Sequence, residues 1–243
     1  MSQSKHLGVW PSLRYGWRLT FKHMNTLVPG TIVFYLPELV ERLGADLAGW
    51  GLAKTAFKTA VGCWLLWHAL QLSDAETRHS RLHEPTLPAA GYLSRFLAST
   101  LLFWGGLGLG LWPSVRLLTG AWSLAAFSQC GWVLRPWDWQ AGQALQVGLA
   151  AVAAMPVGLW CVYGWFHGYY VADEGQHAWP SMVSSYRSVR GVFWRTTGFL
   201  AVIAAVNGAG LALWFVGIFV AFPITLMATT YVHLELKRQA TRL

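Results

Sequence analysis

Long apolar runs separated by short polar stretches dominate this chain. A bilayer crossing needs about 20 mostly apolar residues. Six segments meet that need, at about 25–43, 51–72, 96–118, 145–171, 196–212 and 214–234. The first carries Pro29, Pro37, Glu38 and Glu41, and the second has Lys54 and Lys58 near its start. The last two come from one apolar stretch over 196–234, which is too long for a single crossing and is expected to break at Asn207–Gly208–Ala209–Gly210. The pattern therefore predicts an all-α fold, a polytopic transmembrane bundle of six spans, forming one integral membrane domain over 1–243.

The segments ahead of the spans have a second pattern. Arg14, Arg18 and Lys22 recur at helical spacing, and Trp10, Leu13, Trp17 and Phe21 fill another face of the same helix. Such a helix suits the headgroup plane of a membrane. Tyr186, Arg187, Arg190, Phe193, Trp194 and Arg195 form a similar unit before the fifth span, and Tyr92–Phe96 a shorter one before the third. The span exits also repeat: His68 is followed by Asp74, Glu76 and His79, His167 by Asp173, Glu174 and His177, and His233 by Glu235. Three units, each an interfacial helix followed by a two-span hairpin, account for this order; chance recurrence in aromatic-rich juxtamembrane sequence is the alternative.

Composition narrows the class further. Only 12% of the 243 residues are charged, 55% are hydrophobic, and 16 are Trp. That charge content cannot clothe a soluble domain, and the apolar content excludes a disordered chain. The net charge of +8 does not point to nucleic acid, because the basic residues lie between apolar spans. Thirteen of the 18 basic residues fall in the N-terminal segment, the 73–95 and 172–195 loops and the C-terminal segment. The positive-inside rule then places both termini in the cytoplasm. Cys63, Cys130 and Cys161 form no CxxC pair, and residues 1–24 do not read as a cleavable signal peptide.

Residues 170–232 carry an acidic residue after a span (Asp173), a Ser-rich helix ending in Ser185, Arg187 and Arg190, a span, and a last span with Gly217, Pro223 and Tyr231. This arrangement resembles the YciC-like and DUF975-like group of bacterial six-span inner-membrane proteins, and is similar to the membrane domain of some glycerophosphodiester phosphodiesterases. The N-terminal LRYGWRLTFKHMNTL resembles the group's opening segment. The resemblance implies a fold and an inner-membrane address. It carries over no catalytic residue.

Candidate chemistry is sparse. If the first hairpin turns near residue 48, Glu38 faces Lys58 and Glu41 faces Lys54. Charges inside a span need such partners, so this polar intramembrane cluster is a structural ion-pair ladder or the wall of a polar path. His68, His167 and His233 all fall near the same ends of even-numbered spans. Converging imidazoles would bind a metal or haem, with Asp74 and Asp173 as orienting carboxylates. The GGLGLG run at 105–110 reads as close helix packing. Trp137 and Trp139 in RPWDWQ read as an aromatic cap. No HExxH, P-loop, nucleophile triad or buried carboxylate dyad is present in the sequence.

The expectation is a non-enzymatic protein of the bacterial inner membrane without a cofactor. It would bind anionic phospholipids through Arg14, Arg18, Lys22, Arg187 and Arg190, with Trp17 and Trp194 as interfacial anchors. It would serve as an accessory or scaffold subunit beside membrane-protein partners, or as a homo-oligomer. A small-solute or ion transporter and a haem- or metal-binding redox subunit are the alternatives.

Overall fold

The computed structural model describes residues 8–42, 50–78, 90–119, 141–212 and 217–240. The described residues are almost entirely helical and contain no strand. Nine helices follow in order among them: α1 (Val9–Lys22), α2 (Met24–Arg42), α3 (Trp50–Arg78), α4 (Ala90–Thr119), α5 (Ala141–Gly164), α6 (His167–Glu174), α7 (Ala178–Arg190), α8 (Phe193–Ala212) and α9 (Ile218–Ala240). The chain divides into two compact units, one of residues 1–100 with 165–243 and one of residues 101–164.

Four helical stretches are long and apolar enough to cross a membrane: Gly91–Leu118, Gln143–Glu174, Phe193–Ala212 and Ile218–Gln239. The expected spans at 25–43 and 51–72 are helical over their described residues but fall outside this set. Charge explains the difference: α2 carries Glu38, Glu41 and Arg42, and α3 carries Lys54 and Lys58 and ends in a polar stretch from Gln71 to Arg78. Three other boundaries depart from expectation. Tyr92–Phe96 is not a separate interfacial helix but the opening turns of α4, because nothing between it and Leu101 breaks a helix. The expected 145–171 span is interrupted by a turn at Trp165–Phe166. Asn207–Gly210 stays helical, and α8 runs on to Ala212.

In the first unit, α9 is the central element. It packs against α1, α2, α3, α7 and α8, and 61% of its most apolar window is buried. The most extensive helix contact is α1 with α9. α1 presents Ser12, Gly16, Leu19 and Thr20, one stripe of small and apolar residues, to the interior. A Cβ added at Gly16 would collide with the Ile224 carbonyl and lie 2.9 Å from the Ala228 nitrogen, so only glycine permits this approach. Tyr15 packs on Tyr231 with ring centroids 4.7 Å apart. Leu19, Leu27, Ala69, Leu72 and Met227 then join α1, α2, α3 and α9 in one apolar cluster. Early α1 residues meet Val232 and later ones meet Met227 and Ile224, so the two helices run antiparallel.

The α8–α9 hairpin closes on Gly210, where an added Cβ would lie 2.9 Å from the Ala221 Cβ and 3.1 Å from the Gly217 carbonyl. One turn earlier the Thr225 hydroxyl donates to Asn207 Oδ1 at 3.1 Å, pairing two polar groups inside an apolar hairpin. In the second unit, Gly106 and Gly110 let Trp160 and Val157 of α5 close onto α4, and Trp160 Nε1 donates to the Phe103 carbonyl at 3.0 Å. Half of the GGLGLG run thus serves packing, whereas Gly105 and Gly108 have open space before them.

Candidate functional site

The basic residues fall into two classes. Arg18 and Lys22 are exposed but share one carboxylate, Glu76 of α3, at 3.2 and 2.5 Å. The hydrogen bond from Lys22, aided by the charges of Lys22, Arg18 and His23, holds the Glu76 carboxyl below its ordinary range against a smaller opposing effect of burial. Burial and the adjacent Lys22 charge lower the His23 imidazole in turn. The expectation that Arg18 and Lys22 serve headgroups therefore meets a structural role first: they fasten α1 to α3.

Arg14, Arg187, Arg190 and Arg195 form the second class. Each is exposed, and among the described residues none has an ion-pair or hydrogen-bond partner. The fold sets several of them close together. A shallow crevice lined by Gly8, Val9 and Ser12 of α1, Arg195, Thr196 and Phe199 of α8 and Val232 of α9 puts the start of α1 beside the start of α8. Arg187 and Arg190 occupy the last turn of α7, which leads directly into α8. Exposed aromatic side chains stand on the same helices: Trp10 and Trp17 on α1, Trp179 and Tyr186 on α7, and Trp194 on α8, the last 81% exposed. An arginine side chain beside an indole in this setting has water or lipid as its neighbour.

The α6–α7 hairpin that carries these arginines is pinned by serines. Ser181, Ser185 and Ser188 recur at helical spacing on α7 and reach α4 and the first turns of α6. Ser181 bonds Ser99 of α4 at 3.1 Å, Ser185 accepts from the Phe166 N–H at 3.2 Å, and Ser188 bonds the Tyr170 hydroxyl. Between the two helices Gly175 adopts φ +64°, the left-handed cap that glycine favours. Arg95 of α4 donates to the Gly175 carbonyl at 2.5 Å. No sequence signal beyond the serine spacing announces this lock.

The two other candidate clusters are also placed. Lys58 pairs with Glu38 and Lys54 with Glu41, the pairings that an antiparallel hairpin turning near residue 48 requires. Lys54 lies 3.8 Å from Glu38 as well, linking the rungs. The Lys58 ammonium sits 4.7 Å from the centre of the Phe34 ring, and Phe34 stacks on Phe222 of α9 at 5.4 Å. The histidines, by contrast, do not converge. No group of three or more His, Cys, Asp or Glu able to hold a metal exists among the described residues. His68 stacks on Trp64 at 5.4 Å, with Nε2 3.4 Å from the Thr26 hydroxyl. His167 is buried at the start of α6, and His233 is buried on α9, where it faces Asp173. His68, His167 and His233 thus belong to no such group of three, although the expected three-histidine metal site requires one. His68 and His233 meet different neighbours, Trp64 and Thr26 for the first and Asp173 with three aromatic rings for the second. Cys63 and Cys161 carry free thiols. Cys130, His79 and RPWDWQ at 135–140 lie outside the described residues.

Comparison with protein-family models, curated proteins and solved structures finds no match.

Proposed function

We propose that this chain is a six-span protein of the bacterial inner membrane that binds anionic phospholipid through a basic and aromatic surface on α1, α7 and the start of α8, and serves as an accessory or scaffold subunit. The observation that carries the reading is the set of four arginines without a partner among the described residues, Arg14, Arg187, Arg190 and Arg195, on the same helices as the exposed Trp10, Trp17, Trp179 and Trp194. A cation near an anionic leaflet is worth about 1 kcal/mol, so four together are worth about 4 kcal/mol, close to a thousandfold preference for anionic over neutral lipid. Interfacial indoles fix the depth at which those guanidinium groups meet the phosphates.

The topology supports the same reading. α2 and α3 would be the first two spans, short and held by the Glu38–Lys58 and Glu41–Lys54 ladder, where each ammonium has its own carboxylate. The antiparallel α1–α9 pair puts the start of α1 and the cytoplasm-assigned end of α9 on one side, which suits two termini in the same compartment. The resemblance to the YciC-like and DUF975-like group supports the inner-membrane address.

The test is quenching of tryptophan fluorescence by bromine-labelled phosphatidylglycerol against bromine-labelled phosphatidylcholine in nanodiscs. Stronger quenching by the anionic lipid, lost in an Arg187→Glu/Arg190→Glu variant, is the expected result. Equal quenching by both lipids would overturn the reading.

A further inference from the structure

Lipid binding leaves one buried ionisable group unused. His233 is fully buried (0% exposed) in the stretch Ile218–Gln239, one of the four able to cross a membrane. Three aromatic rings enclose its imidazole. Tyr169 stacks on it at 5.2 Å and Phe166 at 6.3 Å, and Tyr170 meets it edge-on at 4.8 Å. Nε2 lies 3.5 Å from Asp173 Oδ2. Both Nδ1 and Nε2 are buried, with no hydrogen-bond partner among the described residues.

Charge counting gives this arrangement a direction. Lys237 bridges both carboxylates of α6, Asp173 at 2.6 Å and Glu174 at 2.8 Å. With His233 neutral, the cluster holds two negative charges against one positive. With His233 protonated, the charges balance. The faces of Tyr169 and Phe166 attract a cation, which offsets part of the cost of burying its charge. Neutral imidazole has one ring nitrogen without a hydrogen, and the proton would add to that lone pair. The charged groups that act on His233 are Asp173 and Glu174 from α6 and Lys237 from α9, with Tyr169 and Tyr170 as neighbouring phenols. Hydroxyls continue the polar lining into α9. Thr229 and Thr230 lie within hydrogen-bonding reach of the Tyr169 hydroxyl, and Thr225 beyond them bonds Asn207.

We propose that His233 is a proton-binding site of the folded protein, with Asp173 and Glu174 as its counter-ions and the ring cage of α6 as its walls. The proton adds to the unprotonated ring nitrogen and is released from it again, and no bond to carbon changes. Proton uptake tightens the grip of α6 on α9, because it converts a neutral contact with Asp173 into an ion pair.

The experiment is an NMR titration of the full chain in nanodiscs, with isotope-labelled histidine. The His233 signal is assigned by its loss in His233→Asn. Reversible uptake of one proton within the pH range in which the protein stays folded is expected. Asp173→Asn should weaken proton affinity by about tenfold or more, and Lys237→Gln should strengthen it, since a neighbouring charge moves such equilibria by about 1–3 pH units. An imidazole that stays neutral throughout that range would overturn the proposal. So would variants of Asp173 and Lys237 that shift the titration in the same direction. Should Asp173→Asn fail to fold, Glu174→Gln takes its place: weaker proton affinity is again expected, and an unchanged titration in both Glu174→Gln and Lys237→Gln overturns the proposal. A purely structural role for Asp173 would change stability and leave these midpoints unmoved.

Discussion

Replacing Gly16 with Ala tests whether α1 is docked on α9 rather than laid flat on the membrane. In an unobstructed helix interior, Gly→Ala stabilises by about 0.5–1 kcal/mol. At Gly16 the new methyl would strike the Ile224 carbonyl and come within 2.9 Å of the Ala228 nitrogen and 3.1 Å of the Ala228 Cβ. Two of those three neighbours are backbone, which cannot rotate aside, so α1 must lift away from α9. Overpacking of this kind costs about 1–3 kcal/mol, and against backbone the upper half of the range applies. The net effect is destabilisation by about 1–2 kcal/mol after the propensity gain is subtracted. Gly198 on α8 is the control, because an added Cβ there meets nothing within 4 Å. Thermal unfolding in detergent micelles should rank Gly198→Ala at or above the parent chain and Gly16→Ala below it. Limited trypsin digestion should cut α1 faster at Arg14 and Arg18 in Gly16→Ala alone. Equal stability and equal cleavage of the two variants would refute the docking of α1.

Three further outcomes follow from the same geometry. Lys58→Met should destabilise by about 1–3 kcal/mol, because it leaves part-buried Glu38 only the more distant Lys54, 3.8 Å away; Glu38→Gln/Lys58→Met should recover part of the loss, as urea unfolding would show. Ser185→Ala leaves the buried Phe166 N–H without its acceptor and should cost about 1–3 kcal/mol, measured by the same unfolding assay. Glu76 is held below its ordinary range, so its pairing with Lys22 and Arg18 stabilises the fold fully above the unfolded carboxylate range. That stability is lost as pH falls through the lowered folded value. Acid unfolding of Glu76→Gln should lack that component.

What the sequence disclosed and what it hid divide along physical lines. The ion pairs Glu38–Lys58 and Glu41–Lys54 were legible because a hairpin forces its register once the turn is placed. The α8 and α9 helices were legible because apolar length alone sets them. The docking of α1 was not, because its buried stripe of Ser12, Gly16, Leu19 and Thr20 is small rather than apolar, and its tryptophans suggested a different buried face. The pairing of Arg18 and Lys22 with Glu76 was equally hidden, since Glu76 lies 54 residues beyond Lys22. Convergence of the three histidines was expected from similar span exits, but such exits place no constraint on the direction in which a side chain points. The Asp173–His233 contact joins residues 60 positions apart on α6 and α9, and only the fold reveals it.

The account's central claim is that this chain is a lipid-binding subunit of the membrane. Native mass spectrometry of the protein gently released from its own membrane tests it most directly. The account predicts the 27.0 kDa chain with anionic phospholipid adducts that Arg187→Glu/Arg190→Glu removes, and in assemblies that release other polypeptides. A lone chain or homo-oligomer, whose lipid adducts are the same with and without those arginines, would contradict it.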